Sequence, residues 1–300
     1  MDKYHTPVML DECIEGLAIR PGGTYVDVTF GGGGHSREIL KRLNANGRLL
    51  AFDQDADARQ NIIDDSRFVF IDQNFRYLKN FCRLHQAIPA DGILADLGVS
   101  SYQFDQAERG FSIRFDAELD MRMNQQSALT AKDVVNTYSE ADLHRIFGMY
   151  GEIQNAKSLA NTIVTARLNG PIVTVADLKN AISKRIPKGK ENKYLAQVFQ
   201  ALRIEVNQEL EALKDFLIQS ADVLVSGGRL VVMSYHSLED RLVKNFIAKG
   251  KFSGELEKDL YGNSEKPFDA VSRGAITASE DEIINNNRAR SAKLRIAVKR

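Results

Sequence analysis

Short β-like runs alternate with stretches long enough for one helix each in the N-terminal third of the chain, and this alternation constrains the fold more than any other feature. Strands that are each followed by a helix pair in parallel, and the helices then cover both faces of the sheet. The sequence therefore predicts an open α/β fold. The β-like runs lie at residues 24–28, 48–53, 67–72 and 92–96.

The alternation stops after Asp96 and returns towards the C-terminus. Between residues 106 and 193 the apolar spacing is helical, as in the capping box that starts at Ser139. We therefore predict a first α/β part over residues 1–105, an inserted helical part over residues 106–193, and a second α/β part over residues 194–300. Other predicted elements are helices at 153–168, 194–225 and 238–249 and strands at 229–235 and 294–298.

Charge and cysteine usage exclude several classes of protein. The chain has 40 basic and 40 acidic residues, so any surface that attracts nucleic acid has to be local. Cys13 and Cys82 are too few for a disulfide framework or a thiolate zinc cluster, and we predict no metal site. No run approaches the ~20 apolar residues of a membrane span, and no signal peptide is evident. We therefore expect a soluble, cytoplasmic protein without a membrane partner.

A run of glycines, Gly31 to Gly34, lies where the first predicted strand turns into the first helix. Glycines there let the backbone approach a ligand closely, and the helix N-terminus offers free N–H groups. Any nucleotide-like ligand suits such a loop. Ser36, however, stands where a dinucleotide-binding fingerprint has its third glycine, which disfavours an NAD-dependent dehydrogenase.

Aspartates at the ends of three predicted strands narrow the choice of ligand. Asp27 would repel a pyrophosphate, but it suits the cationic amino-acid end of S-adenosylmethionine. Asp53 is placed to accept hydrogen bonds from ribose hydroxyls, and Asp96 lies at the same carboxyl edge, where open α/β sheets bind ligands. The alternative is that each aspartate only caps the helix that follows it. The three together favour S-adenosylmethionine as the cofactor.

The same residues lie within a series of ordered blocks that covers nearly the whole chain. The series resembles the bacterial small-subunit (16S) ribosomal RNA cytosine-N4 methyltransferases. Its most distinctive block runs from Asp91 to Gln103, and another runs from Ser234 to Arg241. The remaining blocks are residues 5–8, 27–36, 109–112, 119–123, 199–207, 227–230 and 287–295.

The resemblance implies a Rossmann-like class I S-adenosylmethionine-dependent methyltransferase fold with an inserted helical domain for substrate recognition. It alone disfavours a methyltransferase that acts on a protein or a small molecule. A ribosome-assembly factor that binds cofactor and RNA without turnover stays open as the alternative. To Asp27 and Gly31, which the loop pattern indicates, the resemblance adds cofactor contacts at Gly33, Gly34, His35, Asp53, Phe75, Asp96 and Gln103.

Transfer to a cytosine N4 requires help, because the amino lone pair is delocalised into the ring. We expect Asp96 or Ser100 to orient the amino group and accept its hydrogen bonds. His236 follows the predicted strand 229–235 and could take the released proton or contact the base. A flipped cytosine also calls for stacking rings. The candidate rings are Phe104, Phe111 and Phe115.

Two basic runs in this neutral chain indicate RNA contact. One covers residues 184–193 and the other covers residues 285–300, with Arg109 as a separate candidate. We expect small-subunit ribosomal RNA, in the assembled subunit, as the partner. Whether the chain forms a homodimer is left open. Within the second run the RNA candidates are Arg288, Arg290 and Lys293.

Overall fold

The computed structural model describes residues 7–99, 106–255 and 266–300. The chain divides into two compact units. Met1–Gly98 and Leu210–Arg300 form the first, which we call the α/β unit, and Val99–Glu209 form the second, which we call the helical unit.

The helices of the described residues alternate with strands only in the α/β unit. Those of the α/β unit are α1 (Leu10–Leu17), α2 (Gly34–Arg42), α3 (Leu78–Leu84), α9 (Glu209–Val223, whose first residue belongs to the helical unit), α10 (Ser237–Lys249) and α11 (Glu280–Asn285). Those of the helical unit are α4 (Ala131–Thr137), α5 (Glu140–Met149), α6 (Ala156–Ala166), α7 (Val175–Ile182) and α8 (Glu191–Asn207).

The strands form one sheet in the order β3-β2-β1-β4-β5-β7-β6. Neighbouring strands from β3 to β5 are parallel, whereas β7 runs antiparallel to β5 and β6. The strands are β1 (Thr24–Asp27), β2 (Arg48–Phe52), β3 (Phe68–Ile71), β4 (Ala90–Asp96), β5 (Leu224–Ser234), β6 (Phe268–Ala270) and β7 (Lys293–Lys299).

Successive residues of the central strands point into two different cores. Tyr25 of β1 packs with α1 and α2 on one face, whereas its neighbour Val26 packs with α3, α9 and α10 on the other. Leu94 and Ile93 of β4 divide in the same way. A parallel sheet covered on both faces needs apolar residues at both alternating positions, which explains the continuous apolar runs in the sequence.

The strand order confirms the predicted Rossmann-like class I methyltransferase fold. The order in which strands are added to the sheet reverses between β1 and β4, since β2 and β3 lie on one side of this pair and β5 lies on the other. Open α/β sheets bind ligands at the carboxyl ends of the strands at such a switch point. A ligand-binding site is therefore expected at the ends of β1 and β4, beside Asp27 and Asp96.

The helical unit has its own apolar core, built from α4 to α8. Capping boxes start α4 at Thr130 and α7 at Thr174, each with an aspartate three residues on. The predicted range of 106–193 is too narrow, because α8 contributes Val198, Leu202 and other buried residues to this core.

Three predicted elements differ from the structure. The predicted helix 194–225 is two helices, α8 and α9, because Gln208 adopts a left-handed conformation with φ of 51°. The predicted helix 153–168 starts later, at Ala156, and its last turn is a 3₁₀ turn. Strand β5 begins at Leu224 instead of Arg229, and the short strand β6 was not predicted.

In the part of the chain that the structure describes, no helix is both long and apolar enough to cross a membrane.

Candidate active site at the carboxyl edge of the sheet

Asp27, at the end of β1, is tied into the glycine loop that follows it. Its Oδ1 accepts a hydrogen bond from the Thr29 N–H at 3.1 Å, and its Oδ2 accepts one from the Ser36 hydroxyl at 2.7 Å. The side chain is 1% exposed, and burial raises the pKa of its carboxyl group. Asp27 therefore shapes the loop, while its predicted contact with the cofactor stays a prediction.

The loop itself needs glycine at Gly33. This residue precedes α2 with φ of 74°, and a Cβ there would lie 2.9 Å from the Phe30 ring and from the Arg37 guanidinium. Gly31 also has a positive φ, and an added Cβ on Gly34 would overlap the Pro7 ring. The first N–H groups of α2 thus lie at the carboxyl edge next to the switch point.

Asp53 follows β2 and holds the loop from its other side. Its Oδ2 accepts from the Gly31 N–H at 2.8 Å, and its Oδ1 accepts from the Asp55 N–H at 2.9 Å. Burial, together with the nearby charges of Asp55 and Asp27, raises the pKa of this carboxyl group to about 6. A cation or a pair of ribose hydroxyls bound to Asp53 would offset the free-energy cost of burying its charged carboxylate.

Asp96 ends β4 and has a different kind of partner. Its Oδ1 accepts a hydrogen bond from the Tyr235 hydroxyl at 2.8 Å, while its own N–H donates to the Thr29 hydroxyl at 2.7 Å. Its side chain is 24% exposed. Burial, together with the charge of Asp27, raises the pKa of this carboxyl group to about 6.

His35 lies beneath this edge as a buried, neutral ring. Its Nε2 lies 3.3 Å from the Val8 carbonyl, and its Nδ1 lies 4.0 Å from Asp96 Oδ2. Burial lowers the pKa of the imidazole. Because the ring is 6% exposed, the cofactor contact that the resemblance implies fits the His35 backbone N–H in the first turn of α2.

His236 and Glu239 form a second group just beyond β5. Glu239 Oε1 lies 3.2 Å from His236 Nε2, although the two atoms are not aligned as a hydrogen bond. Glu239 Oε2 accepts a hydrogen bond from the Tyr235 N–H at 3.2 Å. The His236 ring is 11% exposed.

Phe75 follows β3 at the same edge. The side chains of Asn74 and Gln54 join the ends of β3 and β2 through a hydrogen bond of 2.7 Å. The Phe75 ring is partly exposed and packs edge-on against Phe216, with ring centroids 5.6 Å apart. The structure thus brings Phe75 to the Asp53 side of the edge.

The predicted RNA contacts are placed less favourably. Arg109 is 9% exposed, and its guanidinium donates to the carbonyls of Arg122 and Met123 in the helical unit. Its predicted contact with RNA stays a prediction. Lys293 lies 3.6 Å from Asp240, which also pairs with Arg295. Arg290 is exposed and Arg288 is partly exposed, both in a single 3₁₀ turn.

Several predicted residues lie elsewhere. Ser100, Gln103 and Phe104 lie outside the described residues. Phe111 is 5% exposed and belongs to the core of the helical unit, so it is not a stacking ring, whereas Phe115 is 44% exposed.

Sequence reasoning missed the roles of Ser36 and Tyr235, which donate hydrogen bonds to Asp27 and Asp96, and of Glu239, which lies beside the His236 ring. Tyr235 and Glu239 stand in the same block as His236, and that adjacency was the available signal.

S-adenosylmethionine fits this edge. Three carboxyl groups with raised pKa values, those of Asp27, Asp53 and Asp96, surround a loop that leads into α2, whose N-terminus has no side-chain cap. Asp27 raises the pKa of both of the other two by repulsion, and a ligand with positive charge and no phosphate relieves that repulsion.

Comparison with known proteins agrees with this geometry. A model of the MraW methylase family matches residues 2–300. The chain is 58% identical over 99% of its length to a protein of Christiangramia forsetii, of which it covers 98%, and that protein is named ribosomal RNA small subunit methyltransferase H. A protein of the same name from Cytophaga hutchinsonii is 60% identical, with 98% of this chain and 99% of that one covered.

Solved structures are more distant. A structure described as a putative rRNA-methylase from Clostridium thermocellum covers 100% of both chains at 13% identity, with a TM-score of 0.46. That similarity is too low to add to what the strand order establishes.

Proposed function

The chain belongs to the MraW methylase family, and we propose that it transfers a methyl group from S-adenosylmethionine to the N4 amino group of a cytosine in small-subunit ribosomal RNA. The end-to-end match to relatives named ribosomal RNA small subunit methyltransferase H carries this proposal. The choice of N4 rests on the resemblance of the sequence blocks. The carboxylate of Asp96 at the switch point supplies the chemistry that such an acceptor needs.

Binding of the cofactor falls to the ends of β1, β2 and β3. The N–H groups of the glycine loop and of α2 face this edge, with the Asp53 carboxyl group for the ribose hydroxyls and the Phe75 ring beside it. When bound, S-adenosylmethionine supplies an electrophilic methyl group on its sulfonium. Asp27 contributes negative charge from beneath the loop.

Proton handling falls to the ends of β4 and β5. Asp96 accepts the hydrogen bond of the N4 amino group and takes its proton as the C–N bond forms and the bond between the methyl group and sulfur breaks. A carboxyl pKa of about 6 leaves Asp96 mostly ionised at neutral pH and able to accept that proton. Its partial exposure lets the proton leave to solvent afterwards. His236, beside Glu239, contacts the target base or receives the proton in turn.

Contact with RNA falls, in this proposal, to the exposed basic segment at residues 184–193 of the helical unit. This segment carries five basic residues against Glu191, whose carboxylate accepts from the Gly189 N–H. In the C-terminal run, by contrast, Lys293, Arg295 and Arg300 pair with acids of the chain itself. The total charge of the chain is neutral, so contacts to phosphates supply only part of the affinity for RNA, and the shape of the RNA has to supply the rest. This favours an assembled subunit over naked RNA as the substrate.

The basic segment predicts a specific loss of affinity for the substrate. Replacing Lys188 and Lys190 together by alanine should raise the KM for small subunits. The slope of log KM against log salt concentration should also fall by about one to two. Replacing Lys41 and Lys214, each paired with a glutamate on its own helix, is the matched control. Equal salt slopes for both double variants would remove the segment from the RNA interface.

Methyl transfer to small subunits tests the function itself. Labelled S-adenosylmethionine is supplied with subunits that lack the modification or with naked ribosomal RNA, and nucleosides are identified by mass spectrometry. We expect N4-methylcytidine on the subunits. Cofactor binding without transfer to either substrate would favour an assembly factor. Sedimentation of the same enzyme decides whether it is a homodimer, and fractionation of its cells tests the cytoplasmic location proposed for it.

A further inference from the structure

Tyr235 is the first residue after β5 and lies directly beside the end of β4. Met233 of β5 pairs with Asp96 in the sheet register, and the Leu97 N–H donates to the Met233 carbonyl at 2.9 Å. The Tyr235 ring lies beside Gly98, with 3.5 Å between Cδ2 and the position of an added Cβ. The backbone that leads into the tyrosine is therefore fixed by the sheet.

Two hydrogen bonds anchor Tyr235, one at its hydroxyl and one at its backbone N–H. The hydroxyl donates to Asp96 Oδ1 at 2.8 Å, and at the other end of the residue the N–H donates to the buried Glu239 carboxylate at 3.2 Å. A side chain anchored at its backbone and at its tip holds its partner in one rotamer. Asp96 is thus held through Oδ1, which leaves Oδ2 for a ligand.

The chemistry of Tyr235 restricts it to donating this bond. Burial and the adjacent carboxylate raise the pKa of its phenol far above the usual range, so the hydroxyl keeps its proton. The neighbouring His35 ring is buried and neutral, and it lies 4.0 Å from Asp96 Oδ2. Tyr235 is therefore unable to act as the base, and His35 does not hold Oδ2 in place.

We infer that Tyr235 is a positioning residue for methyl transfer. It donates a hydrogen bond from its hydroxyl to Asp96 Oδ1, so that Oδ2 remains available to accept a hydrogen bond from the substrate amino group. This inference rests on the proposed function, in which Asp96 orients the amino group.

Loss of the hydroxyl should change the titration of Asp96 in a known direction. The charged or titratable groups that face this carboxyl group are His35 of α2, Asp27 of β1, Glu239 of α10, Cys13 of α1 and Tyr235 itself. The hydrogen bond from Tyr235 lowers the pKa of Asp96. Replacing Tyr235 by phenylalanine therefore raises that pKa, and more Asp96 is protonated at neutral pH.

The first test compares Tyr235→Phe with Tyr25→Phe. Tyr25 is also buried and loses one hydrogen bond, the one that its oxygen accepts from the Arg20 N–H, but it belongs to the core around α1 and α2 and not to the carboxyl edge. We expect Tyr235→Phe to lower the single-turnover rate about tenfold at pH 7, with the KM for S-adenosylmethionine within about twofold. The deficit should shrink as pH rises to 9. The control should keep the wild-type rate.

A second test needs no turnover and separates this inference from the proposed function. Aspartate labelled with ¹³C at its carboxyl group reports the titration of Asp96 by NMR, with Asp96→Asn used to assign the signal. Tyr235→Phe should raise the pKa of this carboxyl group even if the wild-type chain methylates nothing. An unchanged pKa, or a rate deficit that is constant across pH and matches the loss of thermal stability, would overturn the positioning role.

Discussion

The carboxylates at the ends of β1 and β2 differ from those at the ends of β4 and β5 in what they bind. Asp27 and Asp53 accept hydrogen bonds from backbone N–H groups of the loops that follow them. Asp96 instead accepts from a side chain, the Tyr235 hydroxyl. Glu239 accepts the Tyr235 N–H with one oxygen and has its other oxygen 3.2 Å from the His236 ring. All four lie in the α/β unit at one edge of the same sheet.

That difference indicates a division of labour. A carboxylate that holds backbone N–H groups fixes the shape of a loop, and it cannot move without disturbing the chain. A carboxylate held through one oxygen by a hydroxyl, as Asp96 is, keeps the other oxygen for a ligand and can exchange protons. We therefore assign cofactor binding to the ends of β1 and β2 and the chemistry to the ends of β4 and β5.

Replacing Asp96 by asparagine should produce the largest effect. The variant cannot take the N4 proton, so we expect kcat to fall about 10²- to 10⁴-fold, as for other lost acid–base groups. Single-turnover transfer to small subunits measures it. Asp91→Asn is the matched control, since Asp91 lies on the same strand at the opposite edge, where it binds Arg20 and the Thr24 N–H. A full rate for Asp96→Asn would contradict the assignment.

The pH dependence of stability should report the buried acids. The pKa values of Asp53 and Asp96 are raised to about 6, so their contribution to stability is present below pH ~4 and is lost as pH rises through about 6. Asp96→Asn should remove part of this slope, at most about 3 kcal/mol between pH 4 and 7. Denaturant unfolding of the two proteins measures it, and parallel curves would show that Asp96 titrates normally.

Gly33→Ala should weaken binding without removing the chemistry. A left-handed residue with a Cβ against Phe30 and Arg37 costs about 1–3 kcal/mol, which predicts a cofactor Kd raised about tenfold or more. At saturating cofactor the rate should stay within about twofold. Gly32→Ala is the control, because nothing lies within 4 Å of its added Cβ. Calorimetric titration with the cofactor distinguishes the two variants, and equal affinities would show that the loop is not the binding element.

Ser36→Ala should have the smallest effect and tests Asp27 alone. The fully buried Ser36 hydroxyl is lost from Asp27 Oδ2, which costs about 1–2 kcal/mol of unfolding free energy. The rate at saturating cofactor should not change, because Asp27 holds the loop and takes no part in proton transfer. A fall in kcat larger than the fall in stability would place Asp27 among the reacting groups.

The sequence predicted the parts of the site that depend on local pattern. Asp27, Asp53 and Asp96 each end a strand whose apolar run is visible in the chain, and the glycines mark the turn after β1. Some hydrogen-bond partners of these acids come from distant parts of the chain. No periodicity indicates that the hydroxyl of Tyr235, which follows β5, reaches Asp96 at the end of the neighbouring strand β4. Local pattern also failed at Gln208, since a residue other than glycine gave no sign of a left-handed turn.

The most direct test of the division of labour is to measure two quantities, the cofactor Kd and the kcat on small subunits at saturating cofactor, for both Gly33→Ala and Asp96→Asn. Gly33→Ala should change the Kd and leave kcat nearly intact. Asp96→Asn should lower kcat by far more than it raises the Kd. If each variant changed both quantities in the same proportion, binding and chemistry would not be divided between the two pairs of strand ends.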